Sequence, residues 1–326
     1  MTTTTGRAVF LVEQAGPLTT VQDRGRFGYL RYGVTEAGPM DRHAFAIAQA
    51  ALGNPPGAAA IETTIGGLAL RCVEGEVTVA SVGGGFRALL DGAEVGAWAV
   101  FPVREGSLLT VKPGFWGSWT YLAFAGEIEA PAWLGSRATH LLSGFGGGRI
   151  EAGQRIEVRG AERRPGQEGD LPLPVTARPL REVRVVLGPQ DRFFAPEAIR
   201  ALLTEPFVLT GEYDRMGVRL RGPRLAVAGA LDMPSEALPR GAVQVPGHGD
   251  PIVLLADHQT TGGYPKIAVL ASADQDGFAQ LRSREAVAFR AIRAEQAVAA
   301  AVARQGAVQR YLEALAGRPR GAGGAA

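Results

Sequence analysis

The segment Asp257-His258-Gln259-Thr260-Thr261-Gly262-Gly263-Tyr264-Pro265-Lys266 holds a carboxylate, two hydroxyls, an amide, a phenol and an amine on one stretch of chain. Such a set can bind a small polar molecule and move a proton. The Gly262-Gly263 pair lets backbone N–H groups approach a ligand closely and form a nest for an anion. The amine stands out by scarcity. Of 34 Lys and Arg residues only Lys112 and Lys266 are lysines, which leaves 32 arginines. A lysine kept where arginine is the rule points to a compact charge or a proton donor. Lys266, Asp257 and Tyr264 are therefore the catalytic candidates, and Gln259, Thr260, Thr261, Gly262 and Gly263 the binding ones. The plainer alternative is a polar hairpin tip with a solvated lysine. Lys112, in Val-Lys-Pro-Gly at a strand end, reads as such a solvated turn residue.

Two further clusters carry forked donors and carboxylates. Gln22-Asp23-Arg24-Gly25-Arg26, followed by Gly38-Pro39-Met40-Asp41, places Arg24 and Arg26 where they suit a carboxylate or phosphate and makes Asp41 a further binding candidate. An Asp23–Arg pair shaping a turn is the simpler use. Glu212-Tyr213-Asp214-Arg215-Met216-Gly217, then Ser235-Glu236 and Gln244, offers Arg215 and Gln244 to a ligand. There, Asp214-Arg215 also reads as an ion pair. Asp23-Arg24-Gly25-Arg26-Phe27-Gly28 and Asp214-Arg215-Met216-Gly217 echo one another faintly, as two related domains would.

Other chemistries lack their residues. Gly83-x-Gly85-x-x-Ala88 imitates a dinucleotide fingerprint, but Asp91-Gly92 cuts off the helix it needs. Neither lysine follows a glycine, which excludes a Walker loop, and no Gly-x-Ser-x-Gly elbow occurs. The 4 histidines, His43, His140, His248 and His258, have no metal-ligand spacing, so no metal site is expected.

The elements that must carry these clusters are mostly strands. Asp41 caps a helix over Arg42–Leu52, with Phe45, Ala48 and Leu52 at helical spacing and Gly53-Asn54-Pro55-Pro56 as its stop. Strand signals follow at Ala60–Thr64, Leu68–Val73, Val77–Val82, Leu108–Lys112 and Thr120–Ala125, and Leu89–Val95 reads as an Asp-Gly hairpin. The polar, proline-rich stretch 162–179 reads as a linker. Strands resume at Glu182–Leu187, Phe207–Gly211, Arg219–Leu220, Ala242–Val245, Ile252–Ala256 and Ile267–Ala271, with a short helix at Ala195–Leu203. A helix over Arg293–Leu315, open to a break at Gly306, precedes a tail expected to be disordered. The pattern is that of an all-β barrel or sandwich.

Composition agrees. Gly is 45 of 326 residues and aromatics are 7%, so many tight turns are expected. The net charge of +2, with arginines scattered, gives no nucleic-acid footprint. The single Cys72 excludes a disulfide scaffold. With no apolar run of membrane length and no leader-like N-terminus, a cytoplasmic protein is expected.

Taken together, Thr19-Thr20-Val21-Gln22-Asp23-x-Gly25-Arg26-x-Gly28-Tyr29, Gly38-x-Met40-Asp41, Leu134-Gly135-Ser136-Arg137, Asp214-Arg215-Met216-Gly217-x-Arg219-Leu220 and the Asp257–Lys266 loop resemble the KipA family. Its members are also called the 5-oxoprolinase C subunit, biotin-dependent carboxyltransferase or allophanate hydrolase subunit 2. The resemblance spans about residues 8 to 290. It implies two tandem cyclophilin-like β-barrel domains, with boundaries at 1–165 and 180–292 and a C-terminal helix and tail at 293–326. It also implies two partners, a KipI-like protein and a LamB/YcsF-type protein, in an ATP-dependent 5-oxoprolinase. The sequence departs from the family at Ala50-Ala51, at Gly84-Gly85-Phe86, where no acidic ligand is then expected, and at Gln275-Asp276-Gly277-Phe278. Two other activities fit the resemblance. One is a carboxyltransferase fed by carboxybiotin; the chain has no Met-Lys-Met attachment site, so the biotin would ride on another chain. The other is a non-enzymatic binder of a KipI-like kinase inhibitor. No amidase-type serine signature supports allophanate hydrolysis by this polypeptide.

Overall fold

A computed structural model describes residues 6–227 and 233–316. The expected tail, 317–326, lies outside the described residues. The chain divides into two compact units that do not follow chain order. One takes residues 1–26, 41–178 and 308–326; the other takes 27–40 and 179–307. Segment 27–40, early in the sequence, thus belongs to the later unit.

The first unit is built on two antiparallel sheets. One runs Gly169–Asp170, Ala99–Arg104, Glu76–Val82, Trp119–Phe124, Ala60–Thr64, Thr20–Gln22. The other has seven strands centred on Arg7–Ala15, Leu68–Glu74 and Leu108–Lys112. Phe10 and Phe124 meet across the core with ring centroids 5.2 Å apart. Helix α1, Arg42–Leu52, has the bounds its sequence predicts. The Asp41 carboxylate accepts the backbone N–H groups of His43 and Ala44, and Gly53 closes the helix in the left-handed region. The hairpin Arg87–Leu90 to Ala93–Gly96 turns on Asp91 and Gly92, both at positive φ. A strand, not a helix, therefore follows Gly83-x-Gly85. The stretch 162–179 is no loose linker: Gly169–Asp170 adds an edge strand to Ala99–Arg104, and Leu171 N–H bonds the Trp98 carbonyl. Proline content suggested a linker, but pairing to an open sheet edge held the stretch in place.

The second unit is a closed barrel. Its order is Glu182–Leu187, Lys266–Leu270, Ala242–Gln244, Ile252–Leu254, Gly217–Arg221, Phe207–Tyr213, Ala286–Ala291, and it closes by a parallel pairing of the last strand with the first. Helix α2, Pro196–Thr204, and the short α3, Gln275–Ala279, belong to this unit, and a two-stranded ribbon joins Glu236–Ala237 to Thr261–Gly262. Helix α4, Ala294–Ala316, runs unbroken through Gly306. Val298 and Val302 on it are exposed, whereas Leu315 is buried in the first unit's core. No helix among the described residues is long and apolar enough to cross a membrane.

Candidate active site

The barrel strand Lys266–Leu270 begins at the end of the Asp257–Lys266 loop, so the loop is anchored at its last residue. Lys266 sits opposite Gln244 in the neighbouring strand. Cross-strand partners stand on the same face, so ammonium and amide share one wall. Lys266 is 2% exposed, yet its Nζ has a single hydrogen-bond partner among the described residues, Glu236 Oε2 at 3.4 Å. Gln190 braces both: its Oε1 accepts the Lys266 backbone N–H at 2.8 Å and its Nε2 donates to Glu236 Oε2 at 2.7 Å. A buried three-donor head with one long contact is a costly arrangement unless a ligand oxygen completes it.

Beside this pair a cleft of about 210 Å³ is lined by Gln244, Gln259, Tyr264, Met216, Ile252 and Leu254, with Glu212, Asp214 and Arg219 at its charged side. Arg219 donates to Glu212 Oε2 at 2.8 Å and its Nη1 lies 2.6 Å from His248 Nε2. Gln244 Nε2 donates to the Tyr264 carbonyl at 3.3 Å, and Gln259 Nε2 donates to Gln244 Oε1 at 3.4 Å. The Tyr264 ring is half-exposed. Thr260 closes the loop through its carbonyl, which accepts Leu238 N–H at 2.9 Å; Thr261 pairs with Ala237 in the ribbon. Gly262 leaves room for the amides, since a Cβ there would sit 2.9 Å from Leu238 Cδ1 and 3.1 Å from Gln244 Nε2. At Gly263 a Cβ would meet the Met233 carbonyl at 3.3 Å.

Asp257 has a different station. Both its oxygens accept from Arg215, at 3.0 Å from Nε and 2.8 Å from Nη2, and both side chains are 1% exposed. The expected proton carrier is committed to a bidentate pair away from solvent. Arg215 also donates to the Gly38 carbonyl at 2.6 Å, and Arg240 donates to the carbonyls of Pro39 and Met40. Two arginines thus bind segment 27–40 to its unit. Gln275, one of the departures from the family pattern, donates to the Arg240 carbonyl at 3.1 Å and so supports that clamp. His258 is buried with Nδ1 2.7 Å from the Gln259 carbonyl, and burial pushes its pKa below the ordinary value.

The remaining candidates belong to the first unit. Arg24 is exposed. Arg26 is buried, donates to the Ala138 carbonyl and stands 5.0 Å over the Trp133 ring. Asp41 is the cap of α1, and its N–H donates to the Tyr121 hydroxyl, which donates to the buried Glu62 at 2.7 Å. Burial and the nearby carboxylates hold the Tyr121 phenol well above its usual pKa. The internal echo has a physical basis: Asp23 Oδ1 accepts Gly25 N–H, and Asp214 Oδ1 accepts Met216 N–H, each at 2.8 Å. Both are Asx turns. Lys112 is exposed, as a turn residue should be. Sequence reasoning gave no role to Glu236 as the lysine's partner or to Gln190 and Arg240. Their partners lie 30 or more residues away. Among the described residues no group of His, Cys, Asp and Glu could hold a metal ion.

The family model of the carboxyltransferase domain, subdomain A and B, matches residues 32–291. The chain belongs to this family. It is 36% identical over 308 residues to the 5-oxoprolinase C subunit of Escherichia coli, covering 94% of this chain and 97% of that protein. The crystal structure of TTHA0988 superposes with a TM-score of 0.76 at 35% identity, covering 86% of this chain and 55% of the other. The Kluyveromyces lactis urea carboxylase structure gives a TM-score of 0.82 at 26% identity over 94% of this chain, which spans only 29% of that much longer enzyme. This carboxyltransferase-family chain thus matches the bacterial protein end to end and a single region of the larger enzyme.

Proposed function

We propose that this chain is the C subunit of an ATP-dependent 5-oxoprolinase, opening 5-oxo-L-proline to L-glutamate with a KipI-like and a LamB/YcsF-type partner in the cytoplasm. The carrying observation is the buried Lys266 head, 3.4 Å from the half-exposed carboxylate of Glu236 and cross-strand from Gln244, which lines a small cleft. The end-to-end similarity to the Escherichia coli protein supports the substrate.

A lactam carbonyl is a poor electrophile because the nitrogen lone pair is delocalised into it. Its hydrolysis must stabilise an oxyanion, take a proton from water and return one to the leaving nitrogen. Lys266 Nζ supplies donors to the carbonyl oxygen, where charge develops. Glu236 takes the water proton as oxygen bonds to the carbonyl carbon. The C–N bond then breaks, and the amine nitrogen receives that proton. In this reading Tyr264, which lines the cleft, relays it.

The cleft does not fit a nucleotide triphosphate. Its charged side holds Glu212 and Asp214, and Arg219 is already engaged with Glu212. Under this proposal ATP is held by a partner protein.

Carboxybiotin-dependent transfer is the second reading, favoured by the urea carboxylase superposition. Biotin would again come from another chain. The deciding experiment co-purifies this chain with its KipI-like and LamB/YcsF-type partners and follows 5-oxoproline-dependent glutamate and phosphate release. Wild-type complex is expected to turn over. Lys266→Ala is expected to lose at least roughly a hundredfold in kcat, as for loss of an oxyanion donor, while still co-purifying with its partners. A wild-type complex that makes no glutamate but accepts a carboxyl group from carboxybiotin would establish the second reading. Partner binding with neither activity would leave a sequestering protein.

A further inference from the structure

We propose that Gln259 is the specificity-determining residue that reads the cis-amide edge of the substrate ring, its Oε1 accepting the ring N–H and its Nε2 donating to the ring carbonyl. The inference rests on the 5-oxoprolinase reading and deepens it.

The orientation of the Gln259 amide is fixed by a chain of bonds. The Tyr264 carbonyl only accepts, so Gln244 must present Nε2 to it. That leaves Gln244 Oε1 facing Gln259, which must therefore present its own Nε2. Gln244 is 1% exposed and cannot turn over freely, whereas Gln259 is exposed at the cleft. What Gln259 offers outward is Oε1, which has no hydrogen-bond partner among the described residues, and the second Nε2 hydrogen. The absence of a Cβ at Gly262, 3.5 Å from Gln259 Nε2 if it were built, keeps the loop backbone low under both amides. Met216, Ile252 and Leu254 give the ring methylenes an apolar wall.

A carboxamide carries an acceptor and a donor side by side. A five-membered lactam is forced into the cis form and carries the complementary pair on one edge. An open-chain secondary amide is trans, with N–H and C=O on opposite sides, and cannot make both bonds to one side chain. One glutamine therefore selects ring amides against peptides. A carboxylate at the same position would accept from N–H and repel the carbonyl.

The test is a two-by-two comparison of dissociation constants on the full chain in its complex with both partners. Wild-type and Gln259→Met proteins are titrated with 5-oxoproline and with its lactone analogue, in which a ring oxygen replaces N–H without added bulk. Wild-type protein is expected to prefer the lactam roughly tenfold, the worth of one hydrogen bond lost with an acceptor left facing an acceptor. In Gln259→Met the preference should fall to within about twofold. If the variant weakens both ligands equally and keeps the tenfold preference, Gln259 does not read the amide and the inference is overturned, while the 5-oxoprolinase reading stands. If wild-type protein binds neither ligand, the 5-oxoprolinase reading itself fails and takes this inference with it.

Discussion

Lys266 and Asp257 end the same loop at opposite ends, yet their surroundings differ. Lys266 has one long contact to a half-exposed carboxylate; Asp257 has both oxygens tied to Arg215. Breaking a buried pair strands a charge in low dielectric. Arg215→Met is therefore expected to lower unfolding free energy by about 3–5 kcal/mol, read from urea denaturation; a loss below about 1 kcal/mol would show that the pair behaves as a solvated one. His258 gives a pH signature. Its ring is buried and its pKa lies below the ordinary 6.5 because burial disfavours the charged form. The unfolded chain takes up this proton as pH falls through about 6.5, the folded one only at lower pH. The stability present above that value is thus lost as pH falls toward the folded pKa, at up to about 1.4 kcal/mol per pH unit. The difference in stability between wild type and His258→Gln should be flat above about pH 7 and shrink below about 6.5. A difference that stays constant down to about pH 5 would show that the ring does not titrate differently on folding.

At the scale of elements, the site is a strand end, a loop and a two-stranded ribbon that must pack without a side chain between them. Thr261–Gly262 pairs with Glu236–Ala237, which brings Glu236 to Lys266. A methyl group at Gly262 would enter the space between Leu238 Cδ1 and Gln244 Nε2. The Leu238 tip can shift, but the amide would move with the Gln259 head it supports. Gly262→Ala is expected to reduce kcat/KM roughly tenfold with a stability change under about 1 kcal/mol. Unchanged turnover would mean that the amide relay tolerates displacement.

The whole molecule shows why contiguous halves are poor guides to its units. The unit containing residues 179–307 also needs 27–40, whose carbonyls at Gly38, Pro39 and Met40 accept from Arg215 and Arg240. A fragment spanning 180–292 would leave both guanidinium groups without these acceptors. It is expected to unfold without a cooperative transition, and cooperativity should return when 27–40 is joined to it. A sharp melt of the bare fragment, followed by circular dichroism, would contradict this.

Local chemistry was legible in the sequence. The Asp41 cap and Gly53 stop bound α1 at Arg42–Leu52, the Asp91-Gly92 pair turned its hairpin, and the Gly pair and rare lysine marked the loop that leads into the barrel strand Lys266–Leu270. These features act over a few residues, where backbone sterics and side-chain capping decide the outcome. The ordered motifs from residue 19 to 266 also carried the family. Partners were another matter. The sequence predicts an ion pair for Asp214 with Arg215, but the structure gives Arg215 to Asp257, 42 positions away, and Asp214 to a turn. Lys266 meets Glu236 across 30 positions and is braced by Gln190 across 76. Residue type sets what a charge can do. Which opposite charge it meets is set by strand order and register, and those arise only when the barrel closes and buries its core.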